Sequence, residues 1–122
     1  MVGLISRIKG RIYDLKYKKH QKQLTPDIWL EDLYALDDTL SVVISHYLKD
    51  FREFNPATPG IFFRKYGDDC GAQWDAVIDK MILAFDTHHR LQSSFEDPTP
   101  EEKSAIKEGL QAFAEYFEYL NY

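Results

Sequence analysis

Two aspartates one helical turn apart, Asp75 and Asp79, are the first residues whose spacing could support chemistry. Hard divalent cations prefer clustered carboxylate oxygens, so such a pair could hold a metal ion for nucleotide hydrolysis. Helical nucleotide pyrophosphatases use two acidic pairs on facing helices, whereas Glu101, Glu102 and Glu108 do not supply a second pair with matching spacing. The pattern is more typical of a solvated helix face, and we predict neither a metal site nor catalytic residues.

The other chemically reactive side chains give no stronger signal. His88 and His89 are adjacent, so on a helix they diverge by about 100° and do not easily bind the same ion. Cys70 is the one cysteine of the chain. It cannot form an internal disulfide, it cannot hold zinc alone, and no base lies near it in sequence. We therefore predict a protein that is not an enzyme and that carries no cofactor.

Residues 62–66 combine aromatic and cationic side chains in one short run, FFRKY. Aromatic faces stack on nucleic-acid bases, and arginine or lysine holds phosphate, so this run could bind a nucleotide. In the alternative interpretation Phe62 and Phe63 pack beneath a loop while Arg64 and Lys65 are only solvated. Composition alone favours that alternative.

The charge of the chain is unevenly distributed. Residues 1–22 hold seven of the 15 Lys and Arg residues against one acid, Asp14, which gives +6. The remaining hundred residues hold eight basic and 19 acidic side chains, or −11. A basic arm on an acidic body can attract a phosphate-bearing ligand or dock on another copy. The acidic body argues against binding along a long nucleic acid.

Length and composition indicate a single folded domain. A chain of 122 residues with 44% apolar and 29% charged side chains is neither disordered nor membrane-embedded in composition. No apolar run reaches the length of a bilayer span and none follows the basic start as a signal peptide would, so a cytoplasmic protein is expected. We predict one domain over 1–122, with a basic N-terminal helix at 1–22 and a helical body at 25–122.

Apolar periodicity predicts an all-α fold throughout. Leu4, Ile8, Ile12 and Leu15 fall on one face of the basic N-terminal helix. Three main helices are predicted at about 35–54, 73–89 and 100–120, each with an apolar stripe, and together they form a small bundle. Trp74 lies in the second stripe and is expected to anchor the core.

Capping and breaking residues predict where the elements begin and end. Thr25 before Pro26 predicts a helix start, and Thr99-Pro100-Glu101-Glu102 predicts a capping box. The second main helix is expected to fray near His88-His89. Gly109 interrupts the last helix and indicates a close helix–helix contact. A long loop is predicted at about 55–72, because five helix breakers fall there: Pro56, Pro59, Gly60, Gly67 and Gly71.

Three stretches together resemble a widespread family of small phage proteins. They are residues 32–40 (DLYALDDTL), 74–85 (WDAVIDKMILAF) and 106–113 (IKEGLQAF), the last followed by Tyr116, Phe117 and Leu120. The most specific part is Trp74 with the run Asp79-Lys80-Met81-Ile82. Tyr34 departs from the family pattern, which prefers Trp there, and the N-terminal arm matches poorly.

This family is similar to the anti-CBASS sponge proteins, which bind cyclic dinucleotide immune signals as homotetramers without cleaving them. The resemblance implies an immune-evasion protein that sequesters a signal such as 3′3′-cGAMP in the cytoplasm of an infected bacterial host. It would do so as a homo-oligomer, with a tetramer suspected, and without a membrane or a long nucleic acid as partner. The candidate ligand-binding residues are, in the arm, Arg11, Tyr13, Tyr17 and Lys18 and, in the predicted loop, Arg64, Lys65 and Tyr66.

Two alternatives remain open at this point. The first is a non-enzymatic protein–protein interaction module that acts on a host factor through the aromatic C-terminus and the acidic surface. The second is a metal-dependent nucleotide hydrolase that uses Asp75 and Asp79.

Overall fold

The computed structural model describes the backbone of residues 23–25, 28–54 and 57–121 and the side chains of residues 32–54 and 57–121. The predicted basic N-terminal helix at 1–22 lies outside the described residues. Within the described residues, no helix has both the length and the apolar character needed to cross a membrane.

The described chain is all-α apart from a very short hairpin, so the predicted fold class is confirmed. Antiparallel pairing joins strands β1 and β2, with Gln23 opposite Trp29 and Thr25 opposite Ile28. The elements in chain order are β1 (Gln23–Thr25), β2 (Ile28–Trp29), α1 (Leu30–Tyr34), α2 (Leu36–Phe54), α3 (Gly60–Tyr66), α4 (Cys70–Ser94) and α5 (Pro100–Tyr116), with 3-10 turns at Gly67–Asp69 and Phe117–Tyr119.

Helix α4 lies at the centre of the bundle and packs against α2, α3 and α5. Its side chains form the core: Trp74, Ile78 and Met81 are almost completely buried, with Trp74 only 1% exposed. Leu48 from α2 and Phe62 from α3 complete the two apolar clusters around them. The predicted role of Trp74 as a core anchor is confirmed.

Helices α4 and α5 approach closely at one glycine. Gly109 lies against the methyl group of Ala84 and the backbone carbonyl of Lys80, so that a Cβ atom added at this position would overlap both. Glycine is therefore present here because the two backbones are too close for any side chain. The predicted helix–helix contact at Gly109 is confirmed.

The prediction of a long loop at about 55–72 is wrong over most of that range. Residues 60–66 form α3, a 3-10 turn follows, and α4 already begins at Cys70. Pro59 does not interrupt α3 because it occupies the N-cap, where its missing N–H is not needed, and Gly67 ends the helix with a positive φ of 58°. Burial of Phe62 against α4 compensates for the weak helix propensity of this short segment.

Two predicted helix boundaries are also corrected. Helix α4 does not fray at His88-His89 but continues to Ser94 and ends at Phe95 in the left-handed conformation, because both histidines are held by carboxylates of α2. Thr25 is not a helix cap: its backbone pairs in the hairpin, and the first helix begins at Leu30.

The capping box before α5 is confirmed. The backbone N–H of Glu102 donates to the Thr99 hydroxyl at 3.2 Å, and the Thr99 N–H donates to the Glu102 carboxylate at 2.9 Å. These two reciprocal bonds satisfy backbone donors that the first turn of a helix otherwise leaves unpaired.

Candidate functional site

The exposed side of α3 carries the cationic and aromatic side chains that the sequence singled out. We call Phe63, Arg64, Lys65 and Tyr66 the α3 patch. All four side chains reach solvent, and Phe63 is 61% exposed. The Lys65 ammonium lies 5.2 Å from the centre of the Tyr66 ring, within the range of a cation–π contact. Lys65 and Tyr66 therefore form one cation–aromatic pair, and Phe63 and Arg64 add an exposed ring and an exposed cation on the same short helix.

A buried aromatic cluster beneath the patch holds α3 in place. The Phe62 ring lies 5.1 Å from the Trp74 ring and 5.2 Å from the Tyr116 ring, centre to centre. Tyr66, one turn after Phe62, packs on it at 5.8 Å. Phe62 thus packs inward, as one interpretation of the sequence expected, whereas Phe63 does not. The patch rests on a rigid support that joins α3, α4 and the end of α5.

The two cations of the patch have no carboxylate partner among the described residues. The effect of Lys65 extends to Tyr116. Burial raises the pKa of the Tyr116 hydroxyl, the charge of Glu115 adds to this rise, and the charge of Lys65 opposes it. An arginine and a lysine without a bound acid are suited to an anion such as phosphate, and the adjacent rings are suited to stacking on a base.

Of the seven candidate ligand-binding residues, the structure describes Arg64, Lys65 and Tyr66, which follow one another on α3 and are all exposed. The other four lie outside the described residues: Arg11, Tyr13, Tyr17 and Lys18. Phe63 is an addition to the set. The alternation of inward Phe62 and outward Phe63 could have been found from the sequence if the segment had been read as a helix.

The acidic pair on α4 is bound by an arginine. Arg52 of α2 places its Nε 3.1 Å from Asp79 Oδ1 and its Nη1 3.4 Å from Asp75 Oδ2. The hydrogen bond with Asp79 is the main reason that the pKa of Arg52 is raised above its ordinary value. Arg52 therefore links both carboxylates of the pair to α2. In the described part of the chain, no group of three or more His, Cys, Asp or Glu side chains is placed to hold a metal ion.

Two histidine–aspartate pairs join α2 to α4, and the sequence did not predict them. His88 Nε2 lies 2.7 Å from Asp37 Oδ2, and His89 Nδ1 lies 2.6 Å from Asp38 Oδ1. The hydrogen bond from His88 is the largest reason that the pKa of Asp37 is lowered. The available signal was the match between two adjacent acids on one predicted helix and two adjacent histidines on the next. These pairs position α2 against α4.

A second surface, on α5, is apolar and open. The apolar stripe predicted on the last helix is partly exposed: Leu110 is 45% exposed, and Phe117, in the 3-10 turn that follows, is 63% exposed. Between α2 and α5 runs an apolar groove of about 340 Å³, lined by Leu40, Ile44 and Phe113 among others. A shallower depression of about 490 Å³ lies on the outer side of α5, between Lys103 and Ala114.

Comparison with known proteins gives no relative for this chain. No protein-family model matches it, and no curated protein or solved structure matches it either.

Proposed function

We propose that this protein binds and sequesters a cyclic dinucleotide defence signal, such as 3′3′-cGAMP, without cleaving it. In this proposal it is a phage immune-evasion protein of the anti-CBASS kind and acts in the cytoplasm of the infected bacterial host. The single observation that supports it most is the α3 patch, where Arg64 and Lys65 have no carboxylate partner among the described residues, Lys65 lies against the Tyr66 ring, and Phe63 is exposed nearby on the same helix. The resemblance of residues 32–122 to the phage family supports the choice of ligand.

The chemistry of the ligand matches the patch. A cyclic dinucleotide carries two phosphates and two bases in one compact ring, so a binding site needs cations and flat aromatic surfaces in alternation. One copy of the patch supplies two cations and two rings. Sequestration needs only affinity and stoichiometry, and no catalytic base or metal ion has to be present.

The site is proposed to lie where copies of the chain meet. A patch on one copy covers one side of a ligand, and an oligomer, with a tetramer suspected, encloses the other. Arg11, Tyr13, Tyr17 and Lys18 of the basic arm are proposed to close the site with further cations and rings. Long nucleic acids and membranes are not proposed as partners, because the body of the protein is acidic and its basic residues are concentrated in the arm.

The test is calorimetric titration of the full chain with 3′3′-cGAMP. The Arg64→Glu variant should stay folded, because Arg64 is exposed, and should bind roughly tenfold or more weakly, because a phosphate contact is lost and a repulsive charge is gained. Lys80→Glu is the matched control: it makes the same charge change at an exposed position of α4 and should leave affinity unchanged. Equal affinity of the Arg64→Glu variant and the control would remove the α3 patch from the site.

A protein–protein interaction module is the second candidate, because Leu110 and Phe117 expose apolar surface on α5. No heat of binding for the nucleotide, with the fold intact, would favour this function. The third candidate, a metal-dependent nucleotide hydrolase, requires Asp75 and Asp79 to release Arg52 before they could bind a metal ion.

A further inference from the structure

The outer side of α5 carries an apolar stripe with charged residues at both ends. Ile106, Leu110 and Ala114 recur every four residues and so lie along one side of α5, and Phe117 and Glu118 follow in the 3-10 turn at its end. We call this stripe, together with Phe117, Lys103, Lys107 and Glu118, the α5 outer face. Leu110 and Phe117 are its most exposed large apolar side chains. Exposed apolar stripes of this kind on a helix mark an interaction surface.

We propose that the α5 outer face is an interface between two copies of this chain, with the two α5 helices antiparallel across a twofold axis. The inference rests on the homo-oligomer of the proposed function and gives that assembly a surface, but it does not depend on nucleotide binding. The α5 outer face shares no residue and no helix with the α3 patch.

The order of charges along the face favours this arrangement. Lys103 and Lys107 lie in its N-terminal half, and Glu118 lies at its C-terminal end. In an antiparallel pair with the axis near residues 110 and 111, Lys103 of one copy lies opposite Glu118 of the second copy, and each contact occurs twice. A parallel pair would instead place lysine against lysine. None of these three side chains forms an ion pair within the described part of the chain.

The apolar residues of the stripe fit the same register. Leu110 lies beside the axis and meets the equivalent region of the second copy, while Ile106 lies within one position of Ala114 of the second copy, a large side chain near a small one. The depression of about 490 Å³ between Lys103 and Ala114 provides space for the side chains of the second copy. Central apolar contacts with charged pairs at the rim are the usual composition of a homodimer interface.

The basic arm of the same chain is a less suitable occupant of this face. Residues 1–22 carry +6, so docking them here would bring their cations against Lys103 and Lys107. A second copy brings a glutamate to that position instead. The charges on the α5 outer face therefore favour a second copy of the chain, and not the basic arm, as the partner of this surface.

The experiment is sedimentation of the full chain over a range of concentrations, with circular dichroism as the check of folding. Leu110→Glu should weaken self-association roughly tenfold or more, because it places a charge at the centre of the interface. Leu83→Glu is the matched control, since Leu83 is similarly exposed (53%) but lies on α4. The control should assemble like the wild-type protein.

A charge exchange tests the antiparallel register without touching the apolar stripe. Lys103→Glu and Glu118→Lys should each weaken association, and the double variant should restore it, because the exchanged charges pair again across the axis. The proposal is overturned if the wild-type chain is monomeric at every concentration, if Leu110→Glu and Leu83→Glu behave alike, or if the double variant is no better than the single ones. Arg64→Glu should assemble normally, so loss of nucleotide binding and loss of assembly are separate results.

Discussion

Helix α4 has two long interfaces, one with α5 and one with α2, and different interactions hold them together. Towards α5 the contact is apolar and close: Gly109 lies against Ala84, and the Phe85 and Phe113 rings meet edge to face at 5.3 Å. Towards α2 the contact is largely polar: Asp38 pairs with His89 and the Ser45 hydroxyl donates to Asp86, while Leu48 supplies the buried apolar side chain of α2. One interface depends on shape, and the other depends on matched hydrogen bonds and charges.

Charged pairs run along the whole α2–α4 interface. The Ser45 hydroxyl donates to Asp86, and the Lys49 ammonium lies 2.9 Å from the same carboxylate. Arg52 binds Asp75 and Asp79 at one end, and the two histidine pairs occupy the other. Apolar burial changes little with pH, whereas paired carboxylates lose their charge in acid. The comparison therefore predicts that volume changes disturb the α4–α5 side and that pH disturbs the α2–α4 side.

The largest expected effect comes from Trp74→Ala. Trp74 joins α3 and α5 to α4, and its removal leaves a cavity that should lower the free energy of unfolding by about 3–5 kcal/mol. Chemical denaturation measures the change. The Trp74→Phe variant should lose clearly less unfolding free energy, because an aromatic ring still fills most of the space. It also breaks no hydrogen bond in the described structure, since Trp74 Nε1 has no partner there. Equal losses in both variants would show that the ring does not fill the core.

Gly109→Ala should have the next largest effect. The added methyl group overlaps Ala84 and the Lys80 carbonyl, so the helices must separate, and the net loss should be about 1–3 kcal/mol despite the better helix propensity of alanine. Gly71→Ala is the matched control. There the nearest atom to an added Cβ is the Thr58 hydroxyl at 3.8 Å, an ordinary contact, so stability should rise by up to about 1 kcal/mol. Stabilisation by both substitutions would show that α4 and α5 are not in close contact.

Acid should produce the smallest effect, and chiefly on the α2 side, where most of the carboxylate pairs of α4 lie; towards α5 the described residues show one such pair, Arg90 with Glu102. The hydrogen bond from His88 lowers the pKa of Asp37 below its ordinary value of 3.8. The pair of Asp37 with His88 therefore stabilises the folded protein above about pH 4. This stabilisation is lost as the pH falls through the lowered pKa of Asp37 in the folded protein. The difference in melting temperature between the wild-type protein and Asp37→Asn should narrow over that range. A difference that stays constant from neutral pH down to pH values well below 4 would contradict this account.

Local signals in the sequence predicted much of the fold. The capping box at Thr99, the burial of Trp74 and the close contact at Gly109 each depend on residue type and helical spacing, and each is confirmed. Helix α3 was missed because its proline and glycines favour a loop locally, and only the burial of Phe62 against α4 decides otherwise.

Contacts between distant parts of the chain were harder to predict. The pairing of Asp37 with His88 spans 51 residues and depends on how α2 and α4 align. Periodicity predicted which side of the last helix is apolar. Whether another element covers that side depends on the packing of the bundle, and Leu110 is in fact partly exposed. In the candidate site, Arg64, Lys65 and Tyr66 are exposed on α3, and a role in binding stays a prediction for all seven candidate residues.

The measurement that tests sequestration most directly is recovery of the ligand from the complex. The full chain, in excess and with Mg²⁺ present, is mixed with 3′3′-cGAMP, the free nucleotide is quantified by chromatography after filtration, and the retained fraction is boiled and analysed again. We predict that the nucleotide disappears from the free fraction and returns intact after boiling. Nucleotide that stays in the filtrate, or that returns as cleaved products, would contradict sequestration.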